Sequence, residues 1–290
     1  MVHKVKYIHF IINPISGKGN NSITEKEIRK YFPKQYFQVK IEYTQYPKHA
    51  IGLTRIALSN KPNIIVACGG DGTINEVASC LVGKSIKLGI IPIGSGNGLA
   101  SNLKISKSVS EALRLVSEGK SVSIDVGKVN EHYFFCNSGL GIEALVIKKY
   151  KENGRRNFLG YLRATFSATS AFKYKNFNVE IDDNFIEVEP FMFSVSNSNE
   201  PKSNTLINDG YLNLMFVPKI NFFNKLILGT KILFNKADNF QHSISQKVKK
   251  IHLNHDYLEV NFQIDGEFTT LKKKNIHISI EPHALEVIVP

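Results

Sequence analysis

The chain has 290 residues, 42% of them hydrophobic and 10% aromatic, enough to fill the core of one large globular domain or two of ordinary size. No segment reaches the roughly 18 consecutive apolar residues of a membrane-spanning helix, which excludes a helical span and fits a cytoplasmic protein. The formal charge of +12 is concentrated in residues 1–125, where 17 Lys/Arg face 8 Asp/Glu, against 20 and 17 in residues 126–290, so the first half favours anionic partners.

In chain order, YIHFIIN (7–13), FQVKIEY (37–43), NIIVACG (63–69) and KLGIIPIG (87–94) read as strands, alternating with helices near 22–32, 47–59, 72–82 and 108–118. Ser22 and Glu25 have capping-box spacing for the first helix, and Pro47 suits the first turn of the second. Fully apolar strands that alternate with helices predict an α/β domain with a parallel sheet covered on both faces. Beyond Gly119 the pattern changes. SVSIDVGKV, HYFFCNS, FNVEIDDNFIEVE, FMFSVSN, YLNLMFVP, YLEVNFQI and NIHISI are short runs separated by turn signals, which predicts a C-terminal antiparallel β-sandwich with helices at 158–174 and 221–237. The expected boundary lies near Gly119 to Asp125, giving domains 1–125 and 126–290.

Cys68, Cys80 and Cys136 form an odd set with no CxxC spacing in apolar surroundings, so buried free thiols in a reducing compartment are expected. The nine histidines show no HxxxH or HxH spacing, and no helix-turn-helix, zinc-finger or RNA-binding signature is present, so no nucleic-acid partner is expected.

Ligands of open parallel sheets bind beyond the carboxyl ends of the strands. At that edge this chain places NPISGKGN, TQYP, GGDGT and IGSGNG. A glycine pair before a helix lets the backbone turn sharply and offers unpaired N–H groups to a phosphate. Asp71, in the middle of GGDGT, then makes sense as a holder of Mg2+ or as a group orienting the attacking hydroxyl. Alone it reads more readily as a helix cap in a tight turn. An Asp71→Asn replacement, nearly isosteric, is expected to keep the fold. Neither G-x-x-x-x-G-K-[ST] nor G-x-G-x-x-G occurs, so a P-loop enzyme and a standard dinucleotide-binding fold are excluded.

The ordered set NPISGKG, GGDGTINEV, PIGSGNGLA, IDVGKVNEHYFFCNSGLGIEA, DGYLNL and IDGE resembles the diacylglycerol kinase catalytic-domain lipid kinases, which include bacterial diacylglycerol kinases, sphingosine kinases and ceramide kinases. GGDGT by itself is shared with dinucleotide kinases. The resemblance implies an NAD kinase-like α/β domain that binds ATP through Asn13, Pro14, Ser16, Gly17, Thr44, Gly69, Gly70, Gly72, Thr73, Asn75, Glu76, Ser95 and Asn97, with Asp71 catalytic. It implies that Glu267, in IDGEF, is the base that takes the lipid hydroxyl proton, a residue that otherwise reads as an exposed hairpin position. It also implies a structural Mg2+ at Asp209, where a type I′ turn explains Asp209–Gly210 equally well. ATP and Mg2+ are the expected cofactors.

The implied partners are a lipid substrate taken by the sandwich domain and a transient contact with the inner face of the membrane; a homodimer is admitted but not required. GSGNGLA is closer to the sphingosine and ceramide kinase loop than to the bacterial GTxNDFA. In GIEALV, however, Leu145 stands where sphingosine kinases carry an extra Asp, and Glu143 where GFDA-type members have Asp. A neutral glycerolipid is therefore the expected acceptor, with a sphingoid base or ceramide as the alternative. A dinucleotide kinase and a non-enzymatic nucleotide-binding module are more remote readings.

Overall fold

The computed structural model describes residues 5–17, 23–154, 158–182, 184–197, 208–233 and 240–290. The chain divides into two compact units, one running through Val126 and including Pro282–Pro290, the other formed within Gly127 to Glu281.

The first unit alternates β1 (Lys6–Ile12), α1 (Glu25–Tyr31), β2 (Phe37–Tyr43), α2 (His49–Ser59), β3 (Ile64–Gly69), α3 (Asp71–Leu81), β4 (Lys87–Pro92), α4 (Gly98–Asn102) and α5 (Val109–Glu118). The strands pair in parallel in the order β2-β1-β3-β4. β3 is buried at every position, as a central strand covered on both faces must be. The helix α4 was not anticipated; it is only five residues long. The capping box of α1 falls on Thr24 and Glu27, two residues after the expected pair, because SITE and TEKE both carry the spacing and the second lies directly ahead of the helix. Pro47 precedes α2 in a turn instead of occupying its first turn, and Lys48, at φ 67°, is the N-cap.

In the second unit a six-stranded antiparallel sheet runs β12 (Ile244–Val248), β11 (Leu212–Val217), β10 (Met192–Ser196), β7 (Asn137–Gly141), β14 (Val260–Ile264), β15 (Glu267–Leu271). β13 (Lys250–Asn254) pairs antiparallel with β8 (Phe177–Ile181), and β8 with β9 (Asn184–Val188). β5 (Lys120–Val129) and β6 (His132–Phe134) form a hairpin. Phe134, Leu140, Phe177, Phe193, Leu253, Phe262 and Ile276 share one apolar core, so the two sheets are the layers of a sandwich. On the alternate face Met192 and Val217 join Ile142, Val146, Ala168 and Leu228 from α6 (Ile142–Glu152), α7 (Phe158–Ala171) and α8 (Phe222–Leu233). α6 was not anticipated. α8 covers the first part of the helix expected at 221–237; residues 234–239 lie outside the described ones. Among the described residues no helix is long and apolar enough to cross a membrane.

The last strand, β16 (Asn275–Val289), begins in the second unit, antiparallel to β13, and ends in the first, where Val287 pairs in parallel with Leu88 of β4. Two backbone contacts tie this end down: the His283 N–H donates to Asp125 at 2.8 Å and the Gly83 N–H to the Ala284 carbonyl at 2.7 Å. The three cysteines are free, and only Cys68 is fully buried; Cys80 and Cys136 are half-buried, because each lies where its element meets a turn or helix surface and not inside a sheet. Burial pushes the Cys68 thiol well above its usual range, so it is inert at neutral pH.

His9, on β1, is fully buried between the Tyr7 hydroxyl at 3.1 Å and the Glu42 carboxylate at 2.6 Å. Burial lowers its pKa despite the pull of Glu42. The unfolded chain, with an ordinary histidine near 6.5, therefore binds this proton more readily than the fold does, and the stabilisation is complete above that pH and lost below it. His9→Gln is expected to flatten the fall of Tm between about pH 7.5 and 5.5. Equal slopes for parent and variant in a thermal melt series would show that His9 titrates alike in both states.

Candidate functional site

The carboxyl ends of the four parallel strands each release the chain into one of the loops singled out above, and backbone hydrogen bonds continue past the strands. Thr44 N–H donates to the Ile12 carbonyl at 2.8 Å, Asn13 N–H to that of Cys68 at 2.8 Å, and Ile93 N–H to that of Gly69 at 2.9 Å. Asn13 folds its loop back on itself, its Oδ1 accepting from Ile15 N–H at 3.1 Å, while its Nδ2 donates to the Thr73 hydroxyl at 3.0 Å. The Ser16 hydroxyl accepts from Gly70 N–H at 3.3 Å. Pro14 is half-buried between them, and Gly17 takes φ 72°. The first loop is thus sewn to the third. Lys18, in the same motif, lies outside the described residues.

Asp71 is the first residue of α3, and both of its oxygens are engaged. Oδ2 accepts from Asn97 N–H at 2.8 Å and Oδ1 from Gly98 N–H at 2.5 Å. Asn97, 1% exposed and at φ 62°, clamps its own loop: Oδ1 accepts from Gly94 N–H at 3.0 Å and Nδ2 donates to the Gly94 carbonyl at 2.7 Å. The glycines follow from crowding. A Cβ on Gly96 would meet the Asp71 carboxylate at 2.5 Å, and one on Gly94 would run into the Gly70 backbone. Ser95 remains exposed at the tip.

The first intrahelical bond of α3 is Ile74 N–H to Gly70 carbonyl, so the amides of Asp71, Gly72 and Thr73 lie ahead of the helical ladder, where helix N-termini take phosphate oxygens. Asn75 and Glu76 follow on the same helix, and Glu76 Oε1 accepts from the Lys48 N–H at 3.2 Å, steadying the left-handed entry to α2. Of the expected site residues, direct hydrogen bonds join Asn13 to Thr73, Ser16 to Gly70 and Asp71 to Asn97, and Thr44 ends β2 beside β1.

Glu267 belongs to the second unit. Asp265 and Gly266, at φ 48° and 76°, make a two-residue turn closed by the Ile264–Glu267 pair, and Glu267 is exposed at the start of β15. The anchor of this turn is Asp265, part of the IDGE motif but not among the expected site residues: its carboxylate accepts from the N–H groups of Phe135 at 2.8 Å, Cys136 at 2.7 Å and Asn137 at 3.1 Å. The IDG turn signal marks its position, but partners some 130 residues upstream leave no local trace. Asp209 is exposed in a turn where Gly210 takes φ 74°. Among the described residues no three His, Cys, Asp or Glu side chains gather to hold a metal, so an ion at Asp209 would draw its remaining ligands from carbonyls and water.

Residues 7–129 match the family model described as the diacylglycerol kinase catalytic domain. A diacylglycerol kinase of Staphylococcus aureus strain MRSA252 is 25% identical over 98% of this chain and 93% of its own length. A crystal structure of a diacylglycerol kinase from Bacillus anthracis has a TM-score of 0.70 at 19% identity, covering 99% of this chain and 98% of that one. Yeast NADH kinase, solved with NADH, reaches a TM-score of 0.54 at 10% identity over 99% of this chain and 84% of its own. At these identities the solved structures share the fold.

The double acceptance at Asp71 adds a stability cost to the Asn replacement that is expected to keep the fold. A carboxamide offers one acceptor oxygen and would turn an N–H2 toward one of the two amides. Asp71→Asn should lose about 1.5–3 kcal/mol of stability, the usual weight of a hydrogen bond to a charged group. Hydrogen exchange at Asn97 and Gly98 should quicken selectively. Unchanged exchange at both amides would show that the carboxylate does not hold the loop in solution.

Proposed function

We propose, from the match of residues 7–129 to the diacylglycerol kinase catalytic domain, that this chain is a lipid kinase that transfers the γ-phosphoryl group of ATP to the hydroxyl of a neutral glycerolipid such as diacylglycerol. The observation that carries the reading is the joining of three glycine-bearing loops, 13–17, 69–73 and 94–98, at one edge of a parallel sheet. Phosphoryl transfer asks the protein mainly for positioning and charge neutralisation, and such an edge supplies both through fixed amides.

In this reading the amides of Asp71, Gly72 and Thr73 take phosphate oxygens, and Asn13 and Ser16 keep the first loop docked so that it can close over the nucleotide. The donor set fits Mg2+, which binds through one or two carboxylates with the remaining sites left to phosphate oxygens and water. Asp71 is half-buried, and each of its oxygens has a lone pair beyond the one given to Asn97 or Gly98. It is the residue that would hold the ion, whose contribution when bound is to neutralise charge on the transferring group. Glu267 removes the proton of the lipid hydroxyl, and no covalent enzyme intermediate is needed. Leu145 lines a pocket of about 230 Å³ with Leu140, Phe172 and Phe177 but also Lys173 and Lys175, a lining that offers two cations and no carboxylate to a sphingoid amine and so supports a neutral acceptor.

Transfer of labelled phosphate from ATP to a panel of diacylglycerol, sphingosine, ceramide and NAD tests the substrate. Diacylglycerol should dominate; label appearing only in sphingosine, ceramide or NAD would overturn the acceptor assignment. Glu267→Gln should lower kcat by about 100-fold while ATP affinity stays within about twofold, since the lost contact is to the reacting hydroxyl. Near-parental turnover would remove Glu267 from the chemistry. On vesicles, activity should rise with anionic lipid and fall with salt, each basic residue near the surface contributing about 1 kcal/mol. Indifference to both would remove electrostatic membrane contact.

A further inference from the structure

A polar cluster in the second unit has no role in the chemistry described so far. On the helix-covered face of the six-stranded sheet, Ser194 of β10, Gly139 of β7 and Gln263 of β14 stand side by side in register. Gly139 has no room for a side chain, since a Cβ would strike the Phe193 carbonyl. The gap between Ser194 and Gln263 is met from above by Glu143, in the first turn of α6, whose carboxyl hydrogen-bonds with both side chains. Its Oε2 is buried with no partner. An apolar residue would avoid that penalty, so an orphaned oxygen among Tyr161 and the other side chains of the α6–α7 layer calls for an explanation.

Gln263 links this carboxyl to the turn that carries Glu267. The residue is 2% exposed; Nε2 donates to Asn137 Oδ1 at 3.1 Å, and Oε1 accepts from Gly266 N–H at 3.0 Å. A carboxamide can sit either way round, and the flipped form would aim its N–H2 at the Gly266 N–H. Asn137, accepting from Nε2, favours the orientation that holds Gly266, and a carboxyl of Glu143, which bonds the same carboxamide, is suited to the same N–H2.

We infer that Glu143 is a positioning residue for phosphoryl transfer: it orients Gln263, and Gln263 fixes the Asp265–Gly266 turn from which Glu267 projects. This rests on the reading of Glu267 as the base. Burial raises the pKa of Glu143 against the pull of its hydrogen bonds to Ser194 and Gln263, and in either protonation state a carboxyl oxygen can accept from Gln263. A carboxamide can do the same, and a leucine cannot.

The test compares Glu143→Gln, Glu143→Leu and Gln263→Met by steady-state kinetics, nucleotide titration and thermal melts. Glu143→Gln should stay within about threefold of parental kcat. Glu143→Leu and Gln263→Met should each lose about 10-fold or more in kcat with the KM for ATP unchanged, the mark of a contact that serves the reacting hydroxyl and not nucleotide binding. The Tm of Glu143→Leu should fall only modestly, because the orphan oxygen is gone while the buried Ser194 and Gln263 donors lose an acceptor. Should Glu143→Leu fail to fold, Gln263→Met decides the question by the same kinetic split. Parental kcat in Glu143→Leu or Gln263→Met overturns the inference, as does a drop shared equally by kcat, ATP affinity and Tm. In a Glu267→Gln background Glu143→Leu should cost nothing further; a full additional loss there overturns the linkage. If Glu267→Gln alone is silent, the base assignment falls, whereas a dead Glu267→Gln beside an active Glu143→Leu sinks only the positioning role.

Discussion

One carboxylate organises the loops at the carboxyl edge of the parallel sheet. Asp71 is the N-terminal residue of α3, and it spends both oxygens on amides of a loop 26 and 27 residues further on. A negative group at a helix start is favoured by the helix dipole, and two charge-assisted bonds add more, so the second glycine loop has a defined place before any ligand arrives. The surrounding sequence follows from that contact. Gly96 must lack a side chain because the carboxylate occupies its space, Gly94 because it lies on the Gly70 backbone, and Asn97 must tolerate a left-handed backbone while clamping Gly94 from both sides. Preorganised donors are worth most where they need not rearrange as charge develops, and this edge of the sheet is built that way.

The second unit uses the same device with different parts. Asp265 gathers three consecutive amides, Phe135 to Asn137, and so pins a tight turn against β7. Its neighbour Gln263 completes the anchoring through Gly266. In both units an aspartate beside a glycine is held by backbone N–H groups distant in sequence. The groups proposed for the chemistry, a row of helix-start amides and a glutamate at a strand start, each sit beside a backbone held by such bonds.

How much of this is readable from the amino-acid order depends on range. Apolar runs such as IIVA in β3 and the strand–helix alternation reveal the parallel sheet, and the turn signals after Gly119 reveal an antiparallel half. α6 escaped because it follows Gly141 with no side-chain cap, and its lysine-rich end, KKYKE, blurs the apolar stripe. β12 and β13 escaped because strand-like spacing in ISQKV and KIHLN is diluted by exposed polar residues. The capping box slipped by two residues because two overlapping matches compete. The glycine loops were legible as phosphate-compatible; the latch among them was not, since a carboxylate and its amide partners separated by a helix and a strand have no shared local pattern. Glu143 stands out in the sequence only as a departure from a motif, and its role emerges from the cross-strand register of Ser194, Gly139 and Gln263.

The path of β16 has a consequence for how the chain is made. Residues 282–290 supply the strand beside β4, yet the ribosome delivers them only after all of residues 127–281. Leu285, Val287, Ile288 and Val289, each nearly or fully buried, arrive last into a core whose other walls were translated long before. Until then β4 presents an unpaired edge, the feature by which nascent sheets recruit wrong partners. The first unit to be begun is therefore completed only after the second has been synthesised.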